Sequence, residues 1–192
     1  RFQPETGQRG AALQDGSIDM AYDLPAGDQT TFQQEDQYSE YRVTAAPSTG
    51  FQFMQIPVND NGGALHNQGV RQAIQQMIPR QSIVDVVEEG WADPASLPFP
   101  KPAAGPAISG DYDEVAQSAD WAYPSEPQPD EAESLINDSG ANTPVPLVLE
   151  TNADDSARQD KIQLIVDQLN QTGLFEAEMQ TPADLDPWFV QD

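Results

Sequence analysis

Apolar residues recur at helical spacing most clearly between residues 67 and 90, where Val70, Ile74, Met77 and Ile78 form one stripe of a 3.6-residue period. The stripe predicts a helix whose first free amides are capped by Asn67. Pro79 has no N–H and pushes Ile78 out of the helical region, so the helix ends there. A second helix is expected from Ser82, with Asp85 completing a cap three residues on. Ile83, Val86 and Val87 form its buried face, and Gly90 is its left-handed stop.

Weaker patterns flank this pair. Residues 8–16 read as a short helix carrying Ala11, Ala12 and Leu13, followed by a short strand over 18–22 and an acidic, turn-forming stretch over 24–37. Residues 41–46 and 51–58 are rich in aromatic and β-branched side chains and predict strands, with Pro57 making the second an edge strand or ending its pairing. Residues 59–63 read as a turn, and no lysine follows its glycines to make a phosphate loop. The stretch 91–129 holds eight of the seventeen prolines and little periodicity, but Trp91, Phe99, Tyr112, Trp121 and Tyr123 argue that it is anchored on the core rather than free.

Regular pattern returns at Asp130, expected to cap a helix over 131–139 with Ala132, Leu135 and Ile136 inward and Gly140 as its stop. A strand over 145–151 comes next. Asp154 or Asp155 then caps a long helix with Ile162, Ile165, Val166 and Leu169 on one face, ended by Gly173. Phe175, Ala177 and Met179 alternate as a further strand. This is a βαβ unit, whose strands lie parallel in one sheet, as neighbours or with one strand between them. Residues 182–192 trail off in acidic, turn-forming sequence, and no internal repeat is visible.

The central segment also resembles a known family. Asn67, Val70-Arg71-Gln72-Ala73-Ile74, Arg80, Ile83-Val84, Gly90, Ala92, Pro94-Ala95, Pro98 and Pro100 are similar to the signature region of the family 5 extracellular solute-binding proteins of peptide and nickel ABC transporters. Flanking features follow in the family's order over most of the chain. Pro79 departs from the pattern, standing where the family usually carries an acidic residue. The fold the resemblance implies is a mixed α/β (α+β) one, the second lobe of a periplasmic-binding-protein-like type II fold with a βαβ unit and a mixed sheet. Residues 1–46 would be the tail of a first lobe and the crossing segment, and residues 47–192 most of the second lobe.

The same resemblance implies binding rather than chemistry. Members hold a peptide, or less often a nickel complex or oligosaccharide, in a cleft between two lobes that close by a hinge and dock on ABC permease subunits. By position in the family, the wall supplied here includes Phe53, Gln55, Thr151 and Asn152, with Trp91 as a further candidate. Each has a plainer alternative: Phe53 as core, Gln55 as strand surface, Asn152 as a turn residue, Trp91 as a loop anchor. A monomeric, extracellular protein held at the cell surface by a lipid anchor outside this segment is expected, with this chain an internal fragment of it.

Charge narrows the reading further. Asp and Glu number 32 against 8 Lys plus Arg, a formal net charge of −24, which argues against nucleic acid and against an anionic membrane surface as partners. Disorder, a cationic ligand and adaptation to high salt all fit such a charge. Leu, Ile, Val and Phe total 38 of 192 residues, near the limit for folding, but the periodic segments are too regular for a disordered chain. Carboxylates spread along the whole sequence with only two lysines fit a halophilic surface, as in halophilic archaea.

Candidate chemistry is sparse. Without cysteine there is no disulfide framework and no thiolate site. The single histidine, His66, reads as a polar residue at a helix start, since no second histidine can join it in chelation. Asp111, Asp113 and Glu114 hint at calcium but lack the spacing of a full binding loop. No nucleophile with an evident base, no phosphate loop and no metalloprotease motif is present, so no enzyme, metal or cofactor is expected. The other class left open is an acidic structural or protein-interaction module.

Overall fold

A computed structural model describes residues 6–46, 48–56, 63–104, 110–119, 122–153 and 155–182. Its helices are α1 (Thr6–Gln14), α2 (Ala26–Gln34), α3 (Gln68–Met77), α4 (Arg80–Val86), α5 (Tyr112–Ser118), α6 (Pro129–Ser139) and α7 (Ser156–Asn170). Its strands are β1 (Val145–Glu150) and β2 (Phe175–Gln180). The two strands pair directly and in parallel, from Val145 opposite Phe175 to Glu150 opposite Gln180. Among the described residues the sheet is wholly parallel, so the mixed sheet is replaced by the βαβ unit alone.

One core joins α3, α6, α7 and both strands. Val70, Ala73, Ile74 and Met77 of α3 are buried there with Ala132 and Ile136 of α6, with Val145 and Leu147 of β1, and with Ile165, Val166 and Leu169 of α7. Each large side chain so buried contributes about 1.5–3 kcal/mol relative to exposure. Asn67 caps α3 by accepting from the Gly69 amide at 2.9 Å, and its own Nδ2 donates to the Ser139 carbonyl at 2.9 Å, tying the start of α3 to the end of α6.

Gly69 sits where these two helices meet. A Cβ there would lie 2.9 Å from the Leu135 carbonyl oxygen and 2.9 Å from Ser139 Cβ. Gly69→Ala is therefore expected to force the helices apart and cost about 1–3 kcal/mol, more than the roughly 1 kcal/mol that alanine gains in helix propensity. Urea unfolding checks this, and an unchanged or raised midpoint would show that the helix pair absorbs a methyl group.

The α3–α4 junction is held by Arg80. Its Nη1 donates to the carbonyls of Gln75 (3.1 Å) and Pro124 (2.9 Å), and the guanidinium lies 4.9 Å from the centre of the Tyr123 ring. Burial pulls its pKa down to about 10, still far above neutrality, so a charged group here straps the 122–125 segment across the junction. Arg71, the other arginine of the signature segment, donates from Nη1 to the carbonyls of Leu65 (2.8 Å) and His66 (2.9 Å).

Several expectations are corrected. Pro79, not Ser82, stands at the N-cap of α4, and Gln81 rather than Ser82 reaches Asp85, at 2.9 Å. The earlier start changes the inward face: Val84 is buried, Ile83 and Val87 are half-buried, and Val86 is 65% exposed. Likewise Pro129 begins α6 with Gln128 at its cap, in place of Asp130, and Leu135 is only half-buried. Residues 18–22, 41–46 and 51–56 join no strand ladder among the described residues, and 57–63 lies mostly outside them.

The acidic stretch after Pro25 forms α2 and a short 3-10 turn, Asp36–Tyr38. Phe32 of α2 is buried and meets the rings of Tyr38 and Tyr41 at 4.9 and 5.1 Å, and Tyr41 donates its hydroxyl to the Leu13 carbonyl at 2.7 Å. These contacts give residues 6–46 a small cluster of their own. The 91–129 stretch contains a 3-10 turn, Lys101–Ala103, and α5; Trp121 lies outside the described residues.

Candidate functional site

The carboxyl end of β1 runs through Thr151 into the turn that starts α7. The Thr151 amide donates to the Gln180 carbonyl at 3.1 Å, and the Asp155 side chain caps α7 by accepting from the Arg158 amide at 2.9 Å. This is the end of a parallel sheet at which open α/β folds bind ligands. Nearby, α4 closes with the Gly90 amide donating to the Val84 carbonyl at 3.0 Å, while Glu89 and Gly90 take φ values of 48° and 80°. Glycine adopts this left-handed backbone freely, but for Glu89 it costs about 1–2 kcal/mol.

Between these elements and α2 lies a groove of about 460 Å³. Pro25, Ala26 and Gly27 at the start of α2 form one side, and Val86, Val87 and Glu89 at the end of α4 form another. The first turns of α7 complete it with Ser156, Ala157, Asp160 and Leu164. Trp91 helps hold α2 in place, donating from Nε1 to Thr30 Oγ1 at 3.0 Å. Its volume falls in the range of ligand pockets, about 300 to 1,000 Å³, but the groove is open to solvent rather than enclosed.

Lys161 organises the wall from behind. It is buried, donates from Nζ to Gln52 Oε1 at 2.9 Å and forms an ion pair with Glu88, so it joins α7, the end of α4 and the extended 51–56 segment. The two neighbouring glutamates thereby diverge, Glu88 toward Lys161 and Glu89 toward α2. A Cβ on Gly27 would lie 3.3 Å from Glu89 Oε1, which is how closely that carboxylate approaches the α2 backbone. A lysine is not expected on an apolar stripe, but the place of Lys161 four residues before Ile165 puts it on the buried face of α7.

The five wall candidates do not converge on the groove, and none lines it. Thr151 is 2% exposed, and its Oγ1 has no hydrogen-bond partner among the described residues. Asn152 is half-buried and accepts from Arg158 Nη1 at 3.1 Å, which places it one turn from Ser156. Phe53 is 75% exposed and stacks on Phe51 at 5.7 Å, while Gln55 is exposed on the same extended segment. Phe53 as core is thus corrected: apart from its contact with Phe51, the side chain lies open to solvent.

Nothing in this region resembles a metal centre, and no group of three metal-ligating side chains occurs among the described residues. The acids that hinted at calcium do other work. Asp111 caps α5 by accepting from the Asp113 amide at 2.9 Å, and Asp113 pairs with Lys101 at 2.6 Å. His66 ends the 3-10 turn Ala64–His66 just before the Asn67 cap, as a polar residue at a helix start would. No helix among the described residues is long and apolar enough to cross a membrane.

The architecture is shared with solved binding proteins. NikA from Staphylococcus aureus, in complex with Ni(L-His)2, superposes with a TM-score of 0.61 at 18% identity over 97% of this chain and 36% of that one. NikA from Brucella suis, in complex with Fe(III)-EDTA, gives 0.64 at 16% identity over 98% and 38%. The fold is that of the NikA-type periplasmic binding proteins. The chain belongs to the bacterial extracellular solute-binding proteins, family 5, whose middle-region model matches residues 1–189.

Among curated proteins, the glutathione-binding protein GsiB of Pectobacterium atrosepticum is 26% identical over 166 residues, 86% of this chain. The chain spans only 29% of that relative's length. The family is one of binding proteins that serve ABC importers, not of enzymes.

Proposed function

We propose that this chain forms part of a cleft that captures di- or oligopeptides for an ABC importer. The observation that carries the reading is the two-sided construction of the groove: one side comes from α2, the other from α4 and α7. Residues 1–46 are the tail of a first lobe with the crossing segment, and residues 47–192 are most of a second lobe. The division of buried side chains supports this, since the main core draws on residues from Met54 onward while Phe32, Tyr38 and Tyr41 cluster separately. Thr151, Asn152, Phe53, Gln55 and Trp91 remain candidates for the wall, reached by a solute larger than the groove itself. GsiB is named for glutathione, itself a small peptide, which supports the peptide class over a metal complex.

In this reading the complete protein works outside the cell, tethered to its surface by a lipid anchor beyond this segment, and delivers peptide to permease subunits. A solute gains from burial by both lobes and from closure, while the loss of translational and rotational freedom is the same for one wall as for two. The complete protein is therefore expected to bind a mixed di- to hexapeptide pool in calorimetric titration. The 192-residue chain alone should bind it at least about a hundredfold more weakly. Equal binding by the chain alone would overturn the two-lobe assignment, and no binding by the complete protein would overturn peptide capture.

A further inference from the structure

We infer that Lys161 is a positioning residue for solute binding: it holds the α4 and α7 walls of the groove and the segment that carries Phe53 and Gln55 in one arrangement on which capture depends. The inference rests on the peptide-capture reading and names a residue through which that capture is controlled. Lys161 is buried and does not line the groove, so it acts through its neighbours.

The geometry lies in what stands beside each member of the Lys161 cluster. Asp160, the residue before Lys161 on α7, lines the groove. Glu88, its ion-pair partner, stands between Val87 and Glu89, which line the groove from the end of α4. Gln52, which accepts from Lys161 Nζ at 2.9 Å, stands between the exposed rings of Phe51 and Phe53. One buried amine thus ties three segments together at the residues next to their solvent-facing surfaces.

The extended segment depends on such a tie. Residues 51–56 join no strand ladder among the described residues, so no ladder fixes their register there. Met54 and Ile56 pack half-buried against the core and hold the later part of the segment, while Lys161 holds the earlier part through Gln52. With alternate side chains tied inward, the period of two turns Phe51, Phe53 and Gln55 outward.

Stability does not explain a lysine here. Replacing a buried ion pair by apolar groups of similar volume is often neutral or stabilising, so the core would be served as well by an apolar side chain at this place on the α7 stripe. What the amine adds is direction: hydrogen bonds to a charged group have a set length and angle, whereas apolar contacts permit sliding.

The test titrates the complete protein with the mixed di- to hexapeptide pool by calorimetry. Lys161→Met with Glu88→Gln removes the pair without leaving an unpaired charge. It is expected to keep the melting midpoint within a few degrees while lowering the apparent affinity about tenfold, a separation that a merely structural role would not produce. Gln52→Leu leaves the Lys161–Glu88 pair intact and should lower affinity by a similar factor. Combining it with the Lys161→Met and Glu88→Gln changes should add little, because both break the same tie. Gln52→Glu keeps an acceptor for Nζ and should bind like the unchanged protein, as should Lys101→Met, which breaks the exposed Lys101–Asp113 pair instead.

Gln52 is exposed, so its variants decide the matter even if the changes at Lys161 and Glu88 prevent folding. Affinity unchanged by Gln52→Leu, or lost equally in Gln52→Glu, would overturn this inference alone. Absence of binding by the unchanged protein would overturn peptide capture and this inference with it.

Discussion

Leu169→Asp is expected to abolish the cooperative thermal transition of the chain, while Gln163→Asp on the same helix should cost roughly half a kcal/mol or less. Leu169 has no exposed surface and lies in the core shared by α7, β2 and the α3–α6 pair. Truncation to alanine there would already cost about 2–5 kcal/mol, and an unpaired carboxylate adds the penalty of burying a charge. Domains are stable by only about 5–15 kcal/mol, so the loss removes much of the margin. Gln163 is exposed and donates to Asp167 Oδ1 at 2.7 Å; an aspartate there loses that bond and adds mild repulsion in water. Denaturant unfolding followed by circular dichroism distinguishes the two, and comparable losses would mean that the inward face of α7 is wrongly assigned.

Stability should also climb with salt. The chain carries a formal net charge of −24, and carboxylates crowd one another on α6 at Asp130, Glu131 and Glu133 and on β2 at Glu176 and Glu178. Raising potassium chloride from about 0.1 M to about 1 M shortens the screening length from about 10 Å to about 3 Å, which weakens repulsion across the folded surface more than in the already expanded unfolded chain. A gain of a few kcal/mol corresponds to roughly 10 °C in the melting midpoint for a chain of this size. If screening is the cause, sodium and potassium chloride should act alike. A midpoint that stays flat over this range would defeat the halophilic reading of the composition.

What could be read from residue order depended on how much of each element's stability is local. α3, α6, α7, β1 and β2 all show an apolar face together with a start or stop signal, and each was legible to within a few residues. α2 was not, because Ala26–Gln34 is polar and buries one side chain, Phe32; its partners, Tyr38 and Tyr41, lie beyond its end. α5 was missed for a different reason. Its stretch shows little apolar periodicity and its acids read as a solvated turn, whereas Asp111 serves as an N-cap and Asp113 and Glu114 occupy the first turn, where the helix dipole favours them.

Strand propensity misled where no neighbour was available to pair. Residues 51–56 have the composition of a strand, but a strand is defined by its ladder, and the described residues offer them none. The groove was illegible for a similar reason. Its walls come from residues 25–27, 86–89 and 156–164, and only packing brings those segments together. The family resemblance pointed to the carboxyl end of β1, at Thr151 and Asn152, but residue order gave no hint that Glu88 and Glu89 would face opposite ways.

The position of Lys161 has a practical side for chemical labelling. With lysine confined to two positions, Lys101 has an exposed side chain and Lys161 is enclosed by Gln52 and Glu88. An amine-directed reagent therefore meets one accessible ε-amine on the native surface of this chain, far simpler than the usual mixture of labelled species. A dye or spin label can be placed at Lys101 without engineering. Acylation of Lys161 would in turn register the moment at which α7, the end of α4 and the 51–56 segment come apart.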